Sequence, residues 1–162
     1  MKAKDKKDKT FPVLKGKIPI DTEEELAKKL FEKKIFLLMV AIYCKAKKCK
    51  CDDEKKDLSF YKFEDDIDKW ITKNKHIAKY KIGEHCYKII QNTFKHTNRC
   101  PHSFYKTFCH NCPTKCYTCC ELEDINPIMA YSGKRILFKH PIMGIRFVIN
   151  VIRAKKIINS KR

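Results

Sequence analysis

Six of the ten cysteines in this 162-residue chain lie between Cys100 and Cys120, in the stretch CPHSFYKTFCHNCPTKCYTCC. A thiolate is a soft ligand that suits zinc and iron. The spacing is Cys100-x8-Cys109-x2-Cys112-x3-Cys116, with Cys119 and Cys120 directly after. Two cysteines three positions apart can place both sulfurs on one metal within a tight turn. Pro101 and Pro113 each follow a cysteine, and x2 and x3 spacings mixed with Cys-Pro occur in ferredoxin-type runs. A structural zinc would instead pair two short knuckles, Cys109/Cys112 and Cys116/Cys119. Their three-residue separation is shorter than zinc ribbons use. The spacing therefore favours an iron–sulfur cluster, with zinc as the alternative. His102 and His110 read as surface residues.

Other chemistry has less support. No HExxH is present, and four glycines form no phosphate loop. The acidic patches Asp52-Asp53-Glu54 and Glu64-Asp65-Asp66 read as solvated faces rather than paired carboxylates. A Cys/His nucleophile needs a base that only the fold can place. The reading leans against an enzyme; an iron–sulfur enzyme of unknown substrate ranks last.

The N-terminus, MKAKDKKDKT, starts charged but has no apolar run behind it. This predicts no secretory signal, a cytoplasmic location and reduced thiols, which favours metal over disulfides. The longest apolar run, residues 35–43, is about half of what a bilayer requires, so no membrane span is expected. The formal net charge is +18. An anionic partner fits that charge, either nucleic acid or a membrane surface. A redox partner protein is the other candidate. The basic residues are scattered, however, and most read as solvated.

The elements that must position the cysteines read as helices. Residues 1–20 form a basic arm, 21–158 one helical metal-binding domain and 159–162 a basic tail. Thr22-x-x-Glu25 is a capping-box pattern, and it predicts a helix to about Cys44. The second half of that helix, IFLLMVAIYC, is apolar all round and should be buried. Residues 45–57 read as a charged loop in which Cys49 and Cys51 are stray thiols. Residues 58–98 read as helix, broken near Thr72–Lys75, with Cys86 inside the second part. Pro101 ends it. A short helix near Glu121 should stop or kink at Pro127, Tyr131-Ser132-Gly133 should turn, and another short helix should cover Lys134–Lys139. Pro141 should open the last helix. Ile142, Ile145, Val148, Ile149 and Ile152 form its stripe, with Arg146 and Arg153 pointing elsewhere. No segment alternates like a strand, so the fold class is all-α, a small helical domain organised around a Cys-rich metal-binding loop.

Four pieces of this chain resemble the nitrous oxide-stimulated promoter family, small proteins whose expression is linked to nitrosative stress. They are the apolar helix ending in Tyr43-Cys44; Cys86, placed 14 residues before Cys100-Pro101; Cys109-x2-Cys112-x3-Cys116-Tyr117; and Met129-x-Tyr131-Ser132-Gly133-x-Arg135, followed by His140-Pro141 and Ile145-Arg146. The resemblance covers roughly Leu26 to Val151. It implies Cys86, Cys100, Cys109, Cys112 and Cys116 as metal ligands, with Cys44 and Cys119 as further candidates. Relatives carry a CxxC whose first position is Gly83 here, and Cys44, Cys49 and Cys51 are the replacements at hand. Lys134 stands where relatives have proline, and residues 45–75 read as an insertion. The family brings no settled activity. It fits a cytoplasmic metal–thiolate protein of nitrosative or redox stress, because thiolate-bound metals react with nitric oxide. A zinc-stabilised nucleic-acid-binding or regulatory module is the second reading. Arg135 and Arg146 are candidate anion or partner contacts. The preferred role of Tyr131–Arg135 is a tight turn docking two helices, with Gly133 fixed by backbone geometry.

Overall fold

The computed structural model describes residues 23–46, 48–49, 54–100 and 116–160, with side chains to 153. The chain folds around helix α1, Glu23–Lys45. Glu23, Glu24 and Glu25 occupy its first turn, where they complement the positive end of the helix dipole. From Ile35 to Ile42 every side chain is buried, so this part of α1 has no solvent face. It touches α2 (Asp65–Lys73), the strand β2 (Lys81–Ile82), α4 (Glu84–Asn98), α5 (Cys119–Lys139) and α6 (Pro141–Ser160). A helix apolar all round must be central, and this one is.

The segment after α1 is not one broken helix. β1, Lys56–Asp57, pairs antiparallel with β2, setting Lys56 opposite Ile82 and Asp57 opposite Lys81. A 3-10 turn at Leu58–Phe60, α2 and the short α3 (Lys75–Ala78) lie between them. Leu58, Ile67 and Ile71 are all buried, so residues within the expected insertion contribute to the core, as does Ile77 just beyond it. Asn74 separates α2 from α3: its side-chain amide donates to the Trp70 carbonyl at 2.8 Å. Such local bonds compete with helix continuation. Gly83 then caps α4 in extended geometry. The two strands are only two residues each, too short to show alternation in sequence.

α5 begins with a capping box that joins Thr118 and Glu121. It runs through Pro127 and through Tyr131-Ser132-Gly133 without a turn. An internal proline removes a hydrogen bond and normally breaks a helix. Here Ile125, Ile128, Ser132 and Ile136 recur on one face, all buried. The Ser132 hydroxyl donates to the Met39 carbonyl of α1 at 2.7 Å, and Tyr131 meets Tyr43 edge-on at 5.8 Å. Packing along this stripe carries the helix past its weak points. The expected turn and its separate short helices are therefore corrected to one 21-residue helix.

His140 alone joins α5 to α6, and Pro141 opens α6 as expected. Gly144 lies against Leu137: a Cβ there would come within 2.9 Å of the Leu137 Cα. At Gly133 a Cβ would meet nothing within 4 Å. The glycine that permits close helix packing is thus Gly144. The expected inner stripe of α6 is also reversed. Met143, Gly144 and Phe147 face the core, while Ile142, Ile145, Val148, Ile149 and Ile152 are exposed.

Candidate metal centre

Three elements bring three cysteines together. Cys44 lies in the last turn of α1, Cys49 a few residues beyond it, and Cys86 in the first turn of α4. Their sulfurs all lie within 4.8 Å of one another. Cys44 and Cys86 are fully buried and Cys49 is half-buried. The Cys44 thiol donates to the Cys86 sulfur at 2.9 Å. That is longer than a disulfide, near 2.05 Å. It is shorter than the roughly 3.8 Å edge of a tetrahedron with 2.3 Å metal–sulfur bonds. A small outward shift of either side chain would open that edge.

Electrostatics prepare Cys44 to lose its proton. Its surroundings lower its pKa to about 7; the largest cause is the hydrogen bond that Cys86 can give to the Cys44 thiolate, and burial opposes it. Cys49, the Lys55 charge and the Gly83 amide contribute to the same lowering. The Lys55 ammonium also donates to the Cys44 carbonyl at 3.2 Å, at the negative end of α1. Burial and the neighbouring sulfurs of Cys49, Cys86 and Cys44 raise the Tyr43 pKa, which keeps that phenol neutral.

These residues fit a thiophilic ion. They were expected in different roles: Cys86 as a ligand, Cys44 as a further candidate, and Cys49 either as a replacement for the ligand missing at Gly83 or, by preference, as a stray thiol. The structure corrects the last, because Cys49 packs beside the other two. The sequence signal was Gly83, the position at which the family resemblance implies a cysteine. The Gly83 amide points at the Cys44 sulfur, so a side chain there would border the same three thiols.

Cys100 lies just beyond the other end of α4, 14 residues from Cys86. At 1.5 Å per residue this separates their Cα atoms by about 20 Å. One ion cannot take both. Cys116, Cys119 and Cys120 are exposed near the start of α5, with the sulfurs of Cys119 and Cys120 3.8 Å apart. His96 ties this corner together through Glu121 at 3.1 Å and through the Tyr117 ring, whose centroid is 4.4 Å away. The expected ligands Cys109 and Cys112 lie outside the described residues, as do Cys51, His102 and His110.

Arg135 does not stand at a helix start. It lies late in α5, where its guanidinium covers the Tyr131 ring at 3.7 Å and donates to the Tyr131 carbonyl at 2.8 Å. Arg146, exposed in α6, lies over the Phe31 ring at 5.0 Å.

A small helical protein with buried thiols shared between two helices is the class that this fold and site define. The family model described as nitrous oxide-stimulated promoter matches residues 27–160, and the chain belongs to that family. It is also similar to a protein of Escherichia coli (strain K12) named "Uncharacterized protein YgbA", at 31% identity over 67 residues. That match covers 41% of this chain and 57% of the relative. No solved structure matches the chain.

Proposed function

We propose that this chain is a metal–thiolate protein of the nitrosative-stress response, acting in the cytoplasm, in which Cys44, Cys49 and Cys86 hold one thiophilic ion, with zinc the best fit. The observation that carries this reading is the convergence of three sulfurs within 4.8 Å, two of them fully buried. In a cubane iron–sulfur cluster each cysteine binds a separate iron at an outer corner, which holds the sulfurs further apart than one ion does. The close set here supports a single ion. Buried thiolates need such a charge partner. A tetrahedral ion has a fourth position, filled by a donor outside the described residues or by a small molecule.

The stress link is chemical. An S-nitrosothiol donor transfers its nitroso group to a ligand sulfur and leaves with a thiolate of its own. The modified sulfur loses its negative charge and holds the ion less firmly. The ion and its thiols would then report or buffer nitrosating species. The lean against an enzyme stands with this reading, which requires no substrate pocket.

A second reading keeps the iron–sulfur cluster at the other cysteine group. It is favoured by Cys100, Cys116, Cys119 and Cys120 flanking the joined ends of α4 and α5. Metal analysis of protein purified without oxygen separates the two. About one zinc per chain, lost in Cys49→Ser and kept in Cys116→Ser, supports the buried site. Matched iron and sulfide, kept in Cys49→Ser and lost in Cys116→Ser, replaces it with a cluster.

A further inference from the structure

Helix α6 is apolar on both sides. Met143 and Phe147 turn inward to the core. On the outer side Ile142 is 83% exposed, and Ile145, Val148, Ile149 and Ile152 follow it along one continuous face. Phe138, at the α5–α6 corner, is 87% exposed. Single exposed apolar residues need no explanation, but a contiguous row of this length marks a contact surface.

The charge around the row indicates what it meets. Positions 142 and 149 share an edge of the face with Arg146 and Arg153, by the 3.6-residue period. Both arginines are exposed. Lys134, Arg135 and Lys139 are exposed on the last turns of α5. No acidic residue follows Asp124 anywhere in the sequence. Pairing this face with a second copy would bring two rows of arginine together with no carboxylate from either helix between them. A surface both apolar within and anionic outside meets both demands. An acidic lipid headgroup layer over acyl chains is such a surface, and helices of this kind lie in its plane. No helix among the described residues is long and apolar enough to cross a membrane, so contact would be confined to the interface.

We infer that the outer face of α6, with Phe138, is a docking surface for an anionic phospholipid bilayer: Ile142, Ile145, Ile149 and Ile152 enter the acyl boundary while Arg146 and Arg153 meet the headgroup phosphates. This surface is independent of the thiol site.

Vesicle flotation of the full chain tests the inference, with phosphatidylglycerol-containing vesicles against pure phosphatidylcholine vesicles. Wild type should float with the anionic vesicles only, and less so at high salt. The double variant Ile142→Asp/Ile149→Asp should lose at least about tenfold in partitioning with its circular dichroism unchanged, since both side chains are exposed. Failure of wild type to float with anionic vesicles overturns the inference. So does equal flotation with neutral vesicles, or undiminished binding by the double variant, which would place binding on other lysines. Light scattering that finds a wild-type dimer, dissolved by the same substitutions, assigns the face to a second copy instead.

Discussion

The sulfurs of Cys44 and Cys86, 42 positions apart in sequence, stand 2.9 Å from each other inside the core. In the metal-free protein this pair is the one best placed to oxidise among the described residues. Diamide treatment of chelated protein should form a Cys44–Cys86 disulfide, with two electrons and two protons passing to the diazene. Peptide mapping by mass spectrometry checks the pairing. Zinc added first should block it. A map in which Cys44 and Cys86 stay reduced while other cysteines pair would contradict the observed proximity.

The three cysteines should respond differently to serine. Cys49 is half-buried, so Cys49→Ser should lose the ion while changing the stability of the metal-free fold little. Cys44→Ser and Cys86→Ser should lose the ion and also destabilise the metal-free protein by about 1–3 kcal/mol, because each buries a hydroxyl. Zinc content and urea unfolding with chelator present separate the two effects.

Gly144 and Gly133 should part in the same way. Gly144→Ala drives a methyl against the Leu137 backbone and should cost about 1–3 kcal/mol. Gly133→Ala meets open space within a helix and should be neutral, or stabilise by up to about 1 kcal/mol. Thermal melts of the two variants would check this, and an equal loss in both would refute the α5–α6 contact as described.

His140 should give the fold a weakness to acid. Burial lowers its pKa below the ordinary 6.5, and the charges of His76 and Lys139 lower it further. The His140 ring stacks with His76, and its Nε2 lies 3.1 Å from the Tyr80 hydroxyl. Below pH 6.5 the unfolded chain takes up this proton before the folded one does. Stability should therefore fall from pH 6.5 down to the depressed value, then level off. His140→Gln should remove that part of the acid dependence, so its melting temperature should drop less than that of wild type between pH 7.5 and 5.

Where the sequence told the truth about this fold, one physical signal dominated. The run Ile35 to Cys44 is apolar on every side and can only be central, and Pro141, directly after His140, takes the first helical position that proline favours. Where signals competed, the text misled. Ser132 reads as a turn residue, yet it is fully buried with its hydroxyl on a backbone carbonyl, and its neighbours carry α5 through it. α6 is apolar on two sides, so periodicity could not tell inner from outer. For the site, Cys86 and Cys44 could be named in advance through the family resemblance. Cys49 stood only as one of three replacements at hand, because the lysines around it read as solvated loop, and its packing depends on how the chain leaves α1. The cysteines of residues 100–120 are dense in sequence, whereas Cys44, Cys49 and Cys86 are scattered and meet only in the fold.

The position of Cys44 and Cys86 also bears on the unfolded chain. A bond through an ion, or a disulfide, between them closes a loop that contains β1, α2, α3 and β2. Closing a loop of this size in a random chain forfeits about 4 kcal/mol of configurational entropy, which the folded state no longer has to overcome. β2, which packs against α1, lies within that loop, while α5, whose Tyr131 meets Tyr43, lies outside it. Loss of the ion would therefore act first as a loosening of the denatured ensemble, and the middle third of the protein would become the hardest part to bring back together.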